Sequence, residues 1–182
     1  PRADTETLVE WALSCLADVP TPQVVDLGTG SGAIALALKH SRPDAHVHAV
    51  DASTDALAVA QANATQLGLD VRFHAGSWLS PFDASMKFDA IVSNPPYIAS
   101  ADAHLAALTH EPLSALASGS DGLDDLRIIV SQAGQHLQPG GWLLLEHGYD
   151  QAQAVQDFLG NAGFTQVQSH ADLAGILRCS GG

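Results

Sequence analysis

The sequence predicts an α/β fold in which a mostly parallel sheet of seven strands is covered by helices on both faces. Short β-branched segments alternate with segments of helical periodicity along most of the 182 residues, which is typical of right-handed βαβ crossovers. The last two predicted strands are joined by a link too short for a helix and should form an antiparallel hairpin at one edge. The length of the chain, 182 residues, suits one ordinary domain and is too short for a second.

Apolar periodicity and chain breakers delimit the elements of the first half. Leu8, Trp11 and Leu16 recur at helical spacing after a possible cap at Asp4 or Thr5, and Pro20 follows as a stop. The elements predicted here are a helix over residues 5–17, a strand over Gln23–Leu27, a helix over 33–40, a strand over 45–50, a helix from a cap at Ser53 to Leu67 with Gly68 as its stop, and a strand over 70–74.

The second half continues the alternation after a long irregular stretch. A strand over Phe88–Ser93 is followed by residues 98–122, which hold a possible short helix over 102–108. Loops of this length inside a compact domain are usually functional. The remaining predicted elements are a helix over 123–137, a turn over 139–141, a strand over 142–146, a helix over 150–159 and strands over 164–170 and 175–179.

Composition and charge exclude several classes of protein. Hydrophobic residues make up 46% and charged residues 15%, which is typical of a packed fold rather than of disorder. Seven basic against 20 acidic residues give a net charge of −13, which disfavours nucleic acid as the main partner. No apolar run reaches the roughly 20 residues of a membrane helix, and Cys15 and Cys179 lack metal-type spacing, so we expect a cytoplasmic protein with reduced thiols and no membrane association.

A glycine loop over residues 28–32 follows the first strand. Gly28, Gly30 and Gly32 let the backbone turn tightly and approach a ligand, and the helix beginning near Ser31 presents free N–H groups. Asp51, at the tip of the second strand, can accept hydrogen bonds from both hydroxyls of a ribose. Together these features indicate a cofactor of the adenosine type.

The glycine loop alone leaves alternatives open. Gly28, Gly30 and Ala33 also satisfy the dinucleotide fingerprint, so NAD(P) remains an interpretation, and so does a purely structural turn. A P-loop is excluded because no Gly-Lys-Ser/Thr follows. Asp26, just before the loop, could serve a ligand's amino group through water or cap the next helix, and the two interpretations weigh equally.

The fourth strand runs directly into Asn94, Pro95, Pro96 and Tyr97, here called the Asn-Pro-Pro-Tyr segment. Prolines have no N–H and restrict the residue before them to extended geometry, so this segment is stiff and rich in acceptors. The Asn94 side-chain carbonyl and the Pro95 backbone carbonyl can hold both hydrogens of a planar NH₂ group, and the Tyr97 ring offers a face for packing. A rigid turn is the structural alternative.

These residues carry a resemblance to a known family. Residues 26–32 with Asp51 resemble the cofactor motif of class I S-adenosylmethionine methyltransferases, which have a Rossmann-like fold, and the Asn-Pro-Pro-Tyr segment resembles the signature of those that methylate amino groups. Residues 1–6 (Pro-Arg-Ala-Asp-Thr-Glu), 111–116 (Glu-Pro-Leu-Ser-Ala-Leu), 121–123 and 143–148 (Leu-Leu-Leu-Glu-His-Gly) are similar to the peptide chain release factor N5-glutamine methyltransferases, the HemK family. The resemblance spans essentially the whole chain.

The resemblance implies an enzyme that methylates the glutamine side-chain amide in the Gly-Gly-Gln motif of class-one release factors, with S-adenosylmethionine and no metal. We expect residues 1–182 to be its single catalytic domain, without the helical domain that normally precedes it. The implied cofactor-binding residues are Gly28, Thr29, Gly30, Ser31, Gly32, Asp51, Trp78 and Asn94. The implied substrate-binding residues are Asn94, Pro95, Pro96 and Tyr97, of which Asn94 and Pro95 are catalytic.

Within this resemblance, residues 28–32 would cradle the methionine end of the cofactor, Asp51 the ribose, and the backbone around Trp78 the adenine. Ser77 stands where similar proteins commonly have Asp. The remaining alternatives are an adenine or other nucleobase amino-methyltransferase, an NAD-dependent oxidoreductase and a nucleoside-binding domain without catalysis. His46 and His48 share a strand face without an evident third ligand, so we interpret them as ordinary histidines.

Overall fold

A seven-stranded sheet organises the computed structural model, which describes residues 2–100, 102 and 116–182. The strands are β1 (Gln23–Leu27), β2 (His46–Asp51), β3 (Arg72–Ala75), β4 (Phe88–Ser93), β5 (Leu137–Glu146), β6 (Gln168–Ala171) and β7 (Leu177–Gly181). The helices are α1 (Ala3–Cys15), α2 (Ala33–Ser41), α3 (Thr54–Leu67), α4 (Asp124–Ala133) and α5 (Ala152–Asn161), with a 3₁₀ turn over Gly134–His136.

The strand order is β3-β2-β1-β4-β5-β7-β6, and the first five strands of that order are parallel. The chain order reverses between β1 and β4, which is where open α/β sheets bind ligands. The antiparallel hairpin is confirmed: β7 pairs antiparallel with both β5 and β6 and lies between them. Both hairpin strands begin later than predicted.

The two faces of the sheet bury separate apolar clusters. On one face, α1, α2 and α3 cover strand residues such as Val24, Val47 and Val92. On the other face, α4 and α5 cover residues such as Val25 and Ile91. Because side chains alternate along a strand, Asp26 falls on the same face as Val24, toward α2. Helices on both faces are therefore confirmed.

The helix ends show which local signals decided the structure. Ser53 caps α3 by accepting a hydrogen bond from Ala56 N at 3.2 Å, and Gly68 ends it in the left-handed region, both as predicted. The predicted cap of the first helix is wrong, because α1 begins at Ala3 after Arg2. The Thr5 hydroxyl donates instead to the distant Glu146 carboxyl, at 3.3 Å.

The predicted helix over 123–137 and the turn after it are also corrected. The α-helix ends at Ala133, and β5 begins at Leu137, which pairs with Phe88. The next partners are Trp142 and Ala90, so residues 138–141 form an irregularity inside the strand rather than a turn before it. Pro139 and Gly140, the latter at φ +78°, break the ladder locally while the pairing with β4 continues on both sides.

Several remaining expectations have simple outcomes. Cys15 and Cys179 are free cysteines. Trp11 lies in the core, and Trp142 packs against the same cluster. Residues 103–115, which include all of the possible helix over 102–108 except its first residue, lie outside the described residues. Among the residues that the structure describes, no helix is long and apolar enough to cross a membrane.

Candidate active site

The candidate site lies at the carboxyl ends of β1, β2 and β4. The backbone N–H groups of Gly28 and Thr29 both donate to Val50 O, at 2.8 and 2.9 Å, which folds the glycine loop over the end of β2. The buried Ser93 hydroxyl donates to Leu27 O at 2.6 Å and ties β4 to β1. Since Leu27 and Ser93 are register partners, the glycine loop and the Asn-Pro-Pro-Tyr segment leave the sheet side by side.

The glycine loop needs its glycines for two different reasons. Gly28, Gly30 and Gly32 have φ of +70°, +55° and +87°, a region that side chains rarely adopt. A Cβ at Gly32 would lie 3.2 Å from the Ala60 Cβ, so this glycine also allows close packing of α2 on α3. A Cβ at Gly30 would meet open space, which leaves the outer side of the loop accessible to a ligand.

Asp51 lies beside the glycine loop as predicted. Its Oδ2 accepts a hydrogen bond from Gly30 N and its Oδ1 from Ser53 N, both at 2.9 Å. Two carboxylate oxygens offer about four lone-pair sites, so two acceptor sites remain. The side chain is partly exposed and fixed in position, so it can accept bonds from a pair of ligand hydroxyls.

Asp26 accepts a hydrogen bond from the first turn of α2 with one of its carboxyl oxygens. Its Oδ2 accepts hydrogen bonds from the Thr29 hydroxyl at 2.7 Å and from Ala35 N in the first turn of α2 at 3.2 Å. Its Oδ1 is buried and has no hydrogen-bond partner among the residues that the structure describes. Burial raises the pKa of Asp26 to about 7 against the lowering effect of those two hydrogen bonds. The capping interpretation is confirmed, and one buried oxygen is left over.

Trp78 closes the loop from the side of β3. Its indole packs against Gly28, where a Cβ would lie 3.1 Å from the ring. Trp78 itself has φ +50°, an unusual conformation for a bulky residue and one that tends to occur at binding sites. Ser77 is exposed, and its N–H donates to the Ser80 hydroxyl at 3.0 Å. The structure thus brings Trp78 to the loop.

The remaining loop residues differ in accessibility. Thr29 is buried, with its hydroxyl bonded to Asp26, so its backbone rather than its side chain is available to a ligand. Ser31 is exposed, and its carbonyl accepts a hydrogen bond from the Asn63 side chain at 3.0 Å, which anchors the loop to α3.

The Asn-Pro-Pro-Tyr segment continues β4 beyond the sheet. Pro95 is buried, whereas Asn94 and Tyr97 are partly exposed. The Tyr97 carbonyl accepts a hydrogen bond from Gln151 Nε2 at 2.9 Å, and Ile98 N donates to Leu116 O at 3.0 Å. The segment is therefore held at one end by the pairing of Ser93 with Leu27 and at the other by these two bonds.

A buried carboxyl at the end of β5 was missed by sequence reasoning. Glu146 is 1% exposed, and burial raises its pKa to about 7. Burial also raises the pKa of Tyr97, and the Glu146 carboxyl adds to that effect. The signal was present, since Glu146 ends a predicted strand at the same edge as Asn94, but a strand-ending carboxylate by itself names no role.

His48 on β2 and His74 on β3 form a pair. His48 Nδ1 and His74 Nε2 lie 2.9 Å apart; the His48 ring packs against Phe82 and Phe88, and the His74 ring against Phe82. Burial, followed by the neighbouring His74 charge, lowers the pKa of His48 to about 4. Among residues 2–100, 102 and 116–182, no three His, Cys, Asp or Glu side chains group so as to hold a metal ion.

Sequence comparison decides the family. The family model "Methyltransferase small domain" matches residues 5–119. The release factor glutamine methyltransferase of Bordetella pertussis is 52% identical over 184 residues, covering 100% of this chain and 68% of that protein. The enzyme of that name from Burkholderia pseudomallei is 50% identical over 190 residues, covering 100% of this chain and 67% of that protein. The chain belongs to the release factor glutamine methyltransferase family.

Solved structures show the same fold at lower identity. A ribosomal protein L11 methylase from Lactobacillus delbrueckii matches 98% of this family member and 78% of its own chain, with a TM-score of 0.70 and 24% identity. The hMettl16 catalytic domain, solved with an RNA hairpin, matches 98% of this chain and 68% of its own, with a TM-score of 0.77 and 13% identity. These likenesses confirm the methyltransferase fold. The chain spans about two thirds of the length of its release factor glutamine methyltransferase relatives.

Proposed function

We propose that this chain transfers a methyl group from S-adenosylmethionine to the side-chain amide nitrogen of the glutamine in the Gly-Gly-Gln motif of class-one release factors, and that residues 1–182 are the catalytic domain. One observation carries the proposal. The register of Leu27 with Ser93 sets an acceptor-rich segment directly beside a glycine loop of the adenosine-binding type. The membership of this chain in the release factor glutamine methyltransferase family supports the substrate class.

The residues at the sheet edge fit the cofactor. Asp26 keeps a buried, unpartnered oxygen, Gly30 leaves open space over the loop, and Asp51 keeps unused lone pairs. The loop over residues 28–32 would hold the methionine end, Asp51 the ribose hydroxyls, and the backbone at Trp78 the adenine. When bound, S-adenosylmethionine supplies a methyl group on a positively charged sulfur.

The Asn-Pro-Pro-Tyr segment would bind the substrate amide. An amide nitrogen is a weak nucleophile because its lone pair is delocalised into the carbonyl. Asn94 Oδ1 and the Pro95 carbonyl would accept its two N–H groups. Two fixed acceptors orient the nitrogen and stabilise the positive charge that develops on it. The Tyr97 ring would pack against the planar amide.

Catalysis here is positioning and electrostatics. The substrate nitrogen would take the methyl group from the cofactor sulfur, S-adenosylhomocysteine would be the leaving group, and one N–H proton would then pass to water. Asn94 and Pro95 act before that proton is lost, since both accept hydrogen bonds that strengthen as the nitrogen becomes positive. This chemistry calls for no metal ion.

A nucleobase substrate is not favoured. The relatives with about 50% identity carry the name of a protein-modifying enzyme, and the net charge of −13 opposes a polyanion. A class-one release factor is the partner that we propose. Because that substrate is a translation factor, we expect the enzyme to act in the cytoplasm.

The test offers labelled S-adenosylmethionine with three acceptors: a release factor, its Gln→Ala variant in the Gly-Gly-Gln motif, and duplex DNA. We expect label in the unmodified release factor alone. Asn94→Ala should abolish that label while cofactor binding, measured by calorimetry, stays detectable. Asn161→Ala, at an exposed position, is the matched control. Label in DNA, or full activity of Asn94→Ala, would contradict the proposal.

A further inference from the structure

Gln151 stands immediately before α5 but does not cap it. Ser, Thr, Asp and Asn are preferred at this position because their short side chains bond to the first free N–H groups of the helix. Gln151 makes no such bond. Its side chain is 7% exposed and turns away from the helix, donating from Nε2 to the Tyr97 carbonyl at 2.9 Å and accepting at Oε1 from Gly148 N at 2.8 Å.

The two hydrogen bonds require an amide. The Gly148 N–H needs an acceptor, which fixes the Oε1 end of the side chain, and the Tyr97 carbonyl needs a donor, which fixes the Nε2 end. A carboxylate offers no donor, and an apolar side chain offers neither. The bond also links positions 54 residues apart in the sequence, so it joins the start of α5 to the Asn-Pro-Pro-Tyr segment.

The surroundings of Tyr97 O show how closely this contact is built. Gly122 has φ +78°, and a Cβ there would overlap the Tyr97 carbonyl oxygen and lie 3.0 Å from Gln151 Nε2. A Cβ at Gly148 would lie 3.1 Å from Gln151 Oε1. Two glycines therefore leave room for the amide and for the carbonyl that it holds.

The Tyr97 carbonyl is an acceptor through which a side chain of another element can hold the backbone of the Asn-Pro-Pro-Tyr segment. On one side the segment is anchored by Ser93 in the sheet, and on the other by the bond from Ile98 N to Leu116 O. Pro95 and Pro96 have no N–H and cannot anchor the backbone between these points by donating. A donor at Tyr97 O therefore acts on the direction in which the neighbouring carbonyls point.

We propose that Gln151 is a positioning residue for methyl transfer: by holding the Tyr97 carbonyl, its side-chain amide fixes the orientation of the Pro95 carbonyl and of Asn94 toward the substrate amide. This inference rests on the proposed function, in which residues 94–97 bind the glutamine. Gln151 touches neither substrate nor cofactor in this account and acts through the backbone of the Asn-Pro-Pro-Tyr segment.

The test substitution is Gln151→Glu, which keeps the shape and makes the donor depend on pH. Burial raises the pKa of a carboxyl, so the new side chain is protonated and donates at about pH 6, and is ionised and faces the Tyr97 carbonyl as a second acceptor at about pH 8. We expect kcat to fall roughly 10- to 100-fold at the higher pH and to recover to within about threefold of the unsubstituted protein at the lower.

Other groups near the site titrate in both proteins and are removed by comparison. They are Glu146 and Asp26, whose pKa values burial raises to about 7, and His147 on the turn before α5, whose pKa burial lowers. The ratio of the two pH profiles therefore reports the new carboxyl. Gln151→Met, which has similar length and no donor, should lose activity at both pH values. Gln66→Glu, at an exposed position of α3, should match the unsubstituted protein. The KM for S-adenosylmethionine should stay unchanged in Gln66→Glu and should change less than kcat in the two Gln151 variants, since Asn94 is also expected to contact the cofactor.

A second readout needs no substrate. Hydrogen exchange at the Tyr97 and Ile98 amides should be faster in Gln151→Met than in the unsubstituted protein, and should slow in Gln151→Glu as the pH falls, after correction for intrinsic rates. Unchanged kcat in Gln151→Glu at both pH values, or a loss that persists at the lower one, would overturn the inference. If the unsubstituted protein labels no release factor, the proposed function fails, and the exchange rates still decide the role of Gln151.

Discussion

Replacing Asp26 by Asn should stabilise the protein, and the gain should grow with pH. Asp26 is fully buried, and its pKa lies at about 7 against an ordinary 3.8. Between these values the folded state holds a proton that the unfolded state has lost. The stability of the unsubstituted protein therefore falls as the pH rises through this window, by about 1.4 kcal/mol per pH unit.

The size of the effect follows from the same values. A shift of about 3 pH units corresponds to about 4 kcal/mol of destabilisation by the ionised carboxyl, fully present above pH 7. Asn keeps an acceptor for Thr29 and Ala35, but its NH₂ group replaces the unpartnered oxygen, and a buried donor without a partner costs about 1–3 kcal/mol. We expect a net gain of about 1–3 kcal/mol at about pH 8.

Urea unfolding followed by tryptophan fluorescence measures this gain between about pH 4 and pH 8. The free energy of unfolding of Asp26→Asn minus that of the unsubstituted protein should rise through this range and level off above about pH 7. Asp70→Asn, at an exposed position, should show no comparable rise. A difference that does not change with pH would refute the assignment of a buried, neutral carboxyl to Asp26.

Three further substitutions test other parts of the structure. Asp51→Ala should raise the dissociation constant of S-adenosylmethionine, measured by calorimetry, roughly 10- to 100-fold, because it removes the acceptor proposed for the ribose hydroxyls. Asp55→Ala, the control, should leave it unchanged. Equal affinity of Asp51→Ala and the unsubstituted protein would exclude the ribose role of Asp51. Burial holds the pKa of His48 at about 4, so the free energy of unfolding of the unsubstituted protein should fall relative to that of His48→Leu as the pH falls from about 6.5 toward 4. A difference in urea unfolding that stays constant over this range would contradict this. Gly122→Ala should lower the free energy of unfolding by roughly 1–3 kcal/mol. The control is Gly163→Ala, which also has a positive φ but open space around it and should cost less. Equal losses in the two variants would show that the contact with Tyr97 is unimportant.

Local signals predicted much of the candidate site. The glycine loop, Asp51 and the Asn-Pro-Pro-Tyr segment each follow a strand whose apolar, β-branched residues are evident in the sequence. Since the carboxyl ends of parallel strands meet at one edge, their proximity follows once the sheet is recognised as parallel. The bond from Gly30 N to Asp51 Oδ2 confirms that proximity for the loop and the acid.

Long-range contacts account for what sequence reasoning missed. The first helix begins at Ala3, and the Thr5 hydroxyl does not cap it but bonds to Glu146, which lies 141 positions away. The strand β5 begins earlier than predicted because its pairing with β4 resumes beyond Pro139 and Gly140. Neither contact leaves a signal in the local sequence.

The sequence by itself determined the order of strands and helices, the parallel sheet with its terminal hairpin, and the residue types at the ligand edge. It did so because periodicity, glycine and proline act over a few residues. Only the tertiary structure decided that Asp26 would keep a buried, unpartnered oxygen, that Glu146 would be buried beside Thr5, and that Gln151 would hold the Tyr97 carbonyl. Each of these depends on which distant groups exclude water from a polar atom or supply its hydrogen bond, and packing alone settles that.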